Sequence, residues 1–251
     1  MIPWTLLGTA RVPGSDSELR LMRRGSEYAI RLGHNELMNS RLGGSEEALA
    51  TIACAKLRPD RAPAILIGGL GMGFTLRAAL AVLGPDARIT VAELVPAVLT
   101  WARGPMADIF AGSLDDPRVR LREADVGELI RSSQSTFDAI LLDVDNGPDG
   151  LTRESNDALY DLPGLRRARA ALRPEGVLAV CRRSPIRVSC SVCGRRASTP
   201  KRSKCVLGNP APARRMSSGS ASASKADTET NSEVADRLEC QRDAGMSVGK
   251  K

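Results

Sequence analysis

"PAILIGGLGMGFTLRAALAVLG", residues 63–84, joins a short apolar run to four glycines within six positions and then to an apolar stretch at helical spacing. Ile65, Leu66 and Ile67 are contiguous, as a strand buried on both faces requires. From Phe74 the pattern becomes helical and stops at Gly84-Pro85, a helix-ending pair. A glycine-rich turn between a buried strand and a helix lets backbone approach a ligand closely, and the helix N-terminus favours anionic or hydrogen-bonding groups. The spacing restricts which ligand. Counted from Gly69, the third glycine of a G-x-G-x-x-G dinucleotide fingerprint falls on Phe74, and the Lys and Ser/Thr of a phosphate-cradling loop are missing. What remains is G-x-G-x-G, formed by Gly69, Gly71 and Gly73.

Outward from this stretch the chain alternates strand and helix patterns. "RITVAEL", "RVRLREAD", "FDAILLDVDNG" and "VLAVC" read as further strands, with helices over "PAVLTWARGPMADIF", "VGELIRSS" and "LYDLPGLRRARAALRPEG" between them. That alternation predicts an α/β fold with a doubly wound, mainly parallel sheet covered by helices on both faces. Upstream, Leu19, Leu21, Tyr28, Ile30 and Leu32 alternate with polar residues around Arg24-Gly25-Ser26, which predicts a β-hairpin. Ser45, before Glu46 and Glu47, is the expected N-cap of the helix that leads into the main domain. After Cys181 the periodicity stops in a Ser-, Arg- and Ala-rich stretch. The expected division is an N-terminal hairpin region over 1–44, a Rossmann-like nucleotide-binding domain over 45–181 and a disordered or frameshifted tail over 182–251.

The formal charge of +7 is unevenly placed. Residues 182–251 hold 15 Lys/Arg against 6 Asp/Glu, whereas residues 1–181 hold 21 against 23. No aromatic-interleaved basic stripe accompanies the charge, which argues against nucleic-acid binding by the folded part. Five of the six cysteines lie at or beyond residue 181, and Cys190-x-x-Cys193 is only half of a zinc motif, so no metal is expected. His34 is the single histidine, which excludes histidine-dependent triads within the chain. "MIPWTLLGTARVPG" lacks the charged start of a signal peptide, and no run approaches the roughly 20 apolar residues of a membrane span. A cytoplasmic protein without membrane contact is expected.

Three carboxylates accompany the glycines at successive strand ends. Glu93 closes the second strand, where an acid can take both hydroxyls of a ribose. Asp125 follows the third strand, a suitable place to hold an adenine amino group, and Asp143 closes the fourth, beside the expected reacting atoms. In an open α/β sheet, ligands bind outside the carboxyl ends of the strands. The set points to an adenosyl ligand.

On these residues the chain resembles the spermidine synthase family, aminopropyltransferases on the class I S-adenosylmethionine methyltransferase fold. The resemblance runs from about residue 18 to 181 and rests on the N-terminal hairpin, "LMNSRLGGSEEALATIA", "ILIGGLGMGFTLRAAL", "VAEL", "EADVGELI" and "FDAILLDVDNGPDGL" with the helix and strand that follow. It implies decarboxylated S-adenosylmethionine as donor, a small-molecule amine as acceptor, ribose at Glu93, adenine at Asp125 and the transfer-site acid at Asp143. The chain departs from the family where the substrates would sit. Gly71 stands where the family's loop carries an Asp, and "DVDNG" replaces D-S-S-D-P. The Tyr-His-Glu cluster of the polyamine site has no counterpart in "EEALATIA"; Asp143, Asp145 and Asp149 are the carboxylates available for an amine. Two alternatives stay open on the sequence: a methyltransferase using intact S-adenosylmethionine, and an inactive truncated or frameshifted relative. A homodimer is compatible with each.

Overall fold

The computed structural model describes residues 2–58, 62–143, 158–180, 188–192 and 203–205. Strands β1 (Thr5–Arg11), β2 (Glu18–Arg24), β3 (Glu27–Leu32) and β4 (Asn35–Asn39) form an antiparallel sheet in sequential order. The expected hairpin is its centre, β2 paired with β3 around Gly25 at φ +60°. β1 escapes the sequence reading because its alternation is broken: its register against β2 slips between Leu6 and Gly8, and both Leu6 and Leu7 are exposed. The sheet buries Leu19, Leu21, Tyr28, Ile30 and Leu32 against the main domain.

Helix α1 (Gly44–Cys54) follows. Its N-cap is Gly43, not Ser45, whose hydroxyl donates to Glu46 at 2.5 Å instead. A side chain at residue 43 would collide with the ring of Phe74, so the helix starts where only glycine fits. The main sheet then alternates with helices: β5 (Ala64–Gly68), α2 (Phe74–Val82), β6 (Arg88–Glu93), α3 (Pro96–Arg103), α4 (Ala107–Phe110), β7 (Val119–Glu123), α5 (Val126–Arg131), β8 (Phe137–Leu142), α6 (Leu162–Ala171) and β9 (Leu172–Val180). The order is β9-β8-β5-β6-β7, all parallel. This is the expected doubly wound α/β architecture.

The alternation of side chains explains why the apolar runs are continuous. Ile65, Ile67, Ile89, Val91, Ala139 and Leu141 face one core together with α1, α2 and the N-terminal sheet. Leu66, Ala92, Ile140, Leu142 and Leu178 face a second core with Val126, Ile130 and Ala168. β5, β6 and β8 are thus buried on both sides, each core being closed by the helices on its own face, while the edge strand β7 is half-exposed.

The sequence reading ends the sheet at residue 181, and here the structure differs. Strand β10 (Val188–Val192) pairs antiparallel with β9, and β11 (Ser203–Cys205) pairs antiparallel with β10. The signal is the short alternation Val188-Ser189-Cys190-Ser191-Val192, lost in the polar composition around it. The rest of the expected tail, and the completion of a zinc motif by Cys193, lie outside the described residues. No helix among the described residues is long and apolar enough to cross a membrane.

Candidate nucleotide-binding site

β5 is the first parallel strand, and the chain departs from it toward β6 on one side and returns at β8 on the other. The crevice of such a sheet opens where the order reverses, between the carboxyl ends of β5 and β8. The glycine loop leaves β5 there, and Asp143 leaves β8 there. Their backbones are joined, because the Asp143 N–H donates to the Gly68 carbonyl at 3.0 Å.

Gly69, Gly71 and Gly73 have φ of +90°, +52° and +75°, left-handed backbone that explains the spacing of the glycines. The loop is closed by its own bonds and by a neighbour. Gly73 N–H donates to the Leu70 carbonyl at 2.9 Å, and the Arg77 guanidinium donates to the carbonyls of Met72 and Ile109 at 3.0 and 2.6 Å. From β6, Glu93 accepts the Leu70 N–H on Oε2 at 3.0 Å and the Val95 N–H on Oε1 at 2.9 Å.

Glu93 is therefore a strut as well as a candidate ligand group. It is buried, and burial pushes its carboxyl above the ordinary range despite the backbone N–H groups that favour the charged form. The sign for stability follows. With rising pH the unfolded chain ionises first, so the stability carried by the protonated buried form is lost from the ordinary carboxylate range up through the raised folded value. Glu93→Gln keeps the shape without the titration. Urea unfolding from about pH 4 to about pH 8 is expected to show a decline in the wild type that flattens in the variant; equal slopes would show that Glu93 does not titrate in that window.

Asp125 is the N-cap of α5, accepting the Gly127 N–H at 2.6 Å on Oδ1. Asp143 accepts the Thr75 hydroxyl on Oδ2 at 2.9 Å. A concavity at this end of the sheet is lined by Gly71 and Asp143 together with Met38, Asn39, Glu46 and Phe74. Neither Glu93 nor Asp125 lines it: Glu93 holds the loop from beneath, and Asp125 stands at the next strand end. The sequence reading missed four participants. Glu46 was visible only as a helix-dipole acid, Thr75 only as one residue of an amphipathic helix, and Met38 and Asn39 reach the site from β4, which no local pattern connects to it. Met38 Sδ lies 3.4 Å from where a Cβ on Gly71 would be. Asp145 and Asp149 lie outside the described residues.

A second concavity, among Ser135, Arg166, Arg169 and Arg173, opens at the amino-terminal ends of β8 and β9, the end of a parallel sheet that does not hold ligands in such folds. Cys54, a free cysteine, is buried and its thiol is pushed up to about 11, so it is no nucleophile at neutral pH.

A stretch of 125 residues is 36% identical to polyamine aminopropyltransferase 1 of Streptomyces coelicolor, covering 48% of this chain and 22% of that protein. A 131-residue stretch is 35% identical to the polyamine aminopropyltransferase of Mycobacterium tuberculosis, covering 50% and 24%. The chain resembles the spermidine synthase family. A spermidine synthase crystallised with the transition state analogue AdoDATO matches with a TM-score of 0.56 at 21% identity, over 70% of this chain and 57% of that one. The spermidine synthase of Thermotoga maritima matches with a TM-score of 0.54 at 19% identity, over 70% and 56%. At such identities these two structures establish the likeness of fold alone. No family model matches the chain. The spermidine synthase-like segment spans less than a quarter of the length of these two curated relatives.

Proposed function

We propose that this chain is a spermidine synthase-type aminopropyltransferase that takes decarboxylated S-adenosylmethionine as donor and a small amine as acceptor. The observation that carries the reading is the meeting of the G-x-G-x-G loop and Asp143 in one concavity at the switch point of the sheet. The site suits an adenosyl sulfonium better than a phosphate. It offers carboxylates to hydroxyl, amino and ammonium groups, and the loop carries no lysine.

In this reading Gly69, Gly71 and Gly73 let the donor approach the backbone, Glu93 takes the ribose hydroxyls and Asp125 the adenine amino group. Each Glu93 oxygen accepts one backbone N–H, and a carboxylate oxygen has a second lone pair for a ribose hydroxyl. Asp125 likewise caps α5 through Oδ1. Asp143 orients the acceptor amine and receives its proton. The amine nitrogen attacks the propyl carbon bonded to sulfur, the C–N bond forms as the C–S bond breaks, and the bonding pair leaves on sulfur as a neutral thioether. Nucleotide binding belongs to residues 45–181, and residues 1–44 supply the cover over the loop through Met38 and Asn39.

Calorimetry with decarboxylated and intact S-adenosylmethionine, beside a methylthioadenosine assay with a diamine, tests the reading. Tighter binding of the decarboxylated donor and release of methylthioadenosine are expected. Preference for the intact donor, with methyl rather than aminopropyl transfer, would overturn it.

A further inference from the structure

We infer that Thr75 is a positioning residue that orients the Asp143 carboxylate and holds it ionised; this rests on the reading of Asp143 as the proton-accepting group. Thr75 is the second residue of α2 and 3% exposed. Its hydroxyl lies 2.9 Å from Asp143 Oδ2 and 3.5 Å from the Glu46 carbonyl oxygen. A hydroxyl has one proton, and the nearer, charged acceptor takes it. The other buried side chains of α2 are Leu76 and Ala79, so a hydroxyl among them stands out from an otherwise apolar face. Threonine is also a weaker helix former than either of those two. A valine would fill the same space without needing a partner. The hydroxyl therefore serves Asp143.

Asp143 is held at two points by the same unit. Its N–H is bonded to Gly68 at the end of β5, and its carboxylate to Thr75 at the start of α2. Between those two residues runs the glycine loop. The proton-accepting carboxylate and the loop proposed to hold the donor are thus fixed in one frame, which matters because a misplacement of about 1 Å can cost on the order of a hundredfold in rate. The hydroxyl bond and the amino-terminal end of α2 both favour the charged carboxylate, against Glu46, the other carboxylate lining the concavity.

Thr75→Val and Thr75→Ser, made in the full chain and in an Asp143→Asn background, test the inference. Thr75→Val is expected to lower kcat by about tenfold to a hundredfold with KM for the donor changed by less than about threefold. The acid limb of the rate–pH profile is expected to move to higher pH, and Thr75→Ser to restore both rate and profile. In the Asp143→Asn background Thr75→Val is expected to add nothing. A second readout needs no turnover: the carbon-13 carboxyl signal of Asp143, assigned by its loss in Asp143→Asn, is expected to titrate at higher pH in Thr75→Val and at the wild-type pH in Thr75→Ser. An unmoved titration overturns the inference, as does a rate loss from Thr75→Val that persists without Asp143. If the wild-type chain transfers no aminopropyl group, the functional reading falls, while the carboxyl titration still decides whether Thr75 governs the ionisation of Asp143.

Discussion

Asp143→Asn is expected to lower the rate of methylthioadenosine release by about 10² to 10⁴, the usual contribution of a positioned proton acceptor. Asparagine has the same shape and can still accept the Thr75 hydroxyl, so the loop, the crevice and the bond from the residue 143 amide to Gly68 stay in place. What disappears is the negative charge and the capacity to take a proton. Donor affinity, measured by calorimetry on the same preparation, is expected to change by less than about tenfold, because the groups proposed for ribose and adenine lie at other strand ends. A variant that keeps its rate would falsify the role of Asp143 and leave nucleotide binding standing. A variant that loses donor affinity along with rate would place Asp143 in ground-state binding.

The largest stability effect is expected at Gly73. Its φ of +75° disfavours any side chain, and an added Cβ would lie 2.5 and 2.7 Å from ring carbons of Phe110, which is 1% exposed and fixed in the core. The backbone cost and the overpacking together are about 2–5 kcal/mol for Gly73→Ala, a drop of roughly 10 °C in melting temperature. Gly71→Ala separates the two contributions. Its φ of +52° carries the backbone cost, but the Met38 sulfur at 3.4 Å is an ordinary contact. The same thermal melts are therefore expected to rank Gly73→Ala well below Gly71→Ala. Equal melting temperatures would mean that Phe110 yields and that conformation alone accounts for the glycine.

The parallel sheet was legible because β5, β6, β8 and the end of β9 are buried on both faces and announce themselves as apolar runs bounded by turns, while the edge strand β7 shows as the alternation Val119-Arg120-Leu121-Arg122. The strand-end positions of the acids were legible for the same reason: once the strands are placed, their carboxyl ends are placed. Of the three acids there, Asp143 lines the concavity, while Glu93 lies beneath the loop and Asp125 caps α5. What sequence could not supply was tertiary. Gly43 displaces Ser45 as the cap of α1 because Phe74, 31 positions later, occupies the space a side chain would need. Met38 and Asn39 reach the concavity because the N-terminal sheet packs back over the loop, and no local periodicity encodes that return. Thr75 looked like any residue on an amphipathic helix until Asp143 was brought against it. The β10 strand was hidden by composition, its five-residue alternation outweighed by the Arg and Ser around it.

The glycine loop owes part of its shape to a side chain outside it. Glu93 ties the segment that leaves β5, at Leu70, to the segment that leaves β6, at Val95, so the curve of the loop is braced from β6. The bend of this segment is therefore braced by a neighbouring strand as well as by its own glycines, so a change on β6 would be felt in the loop.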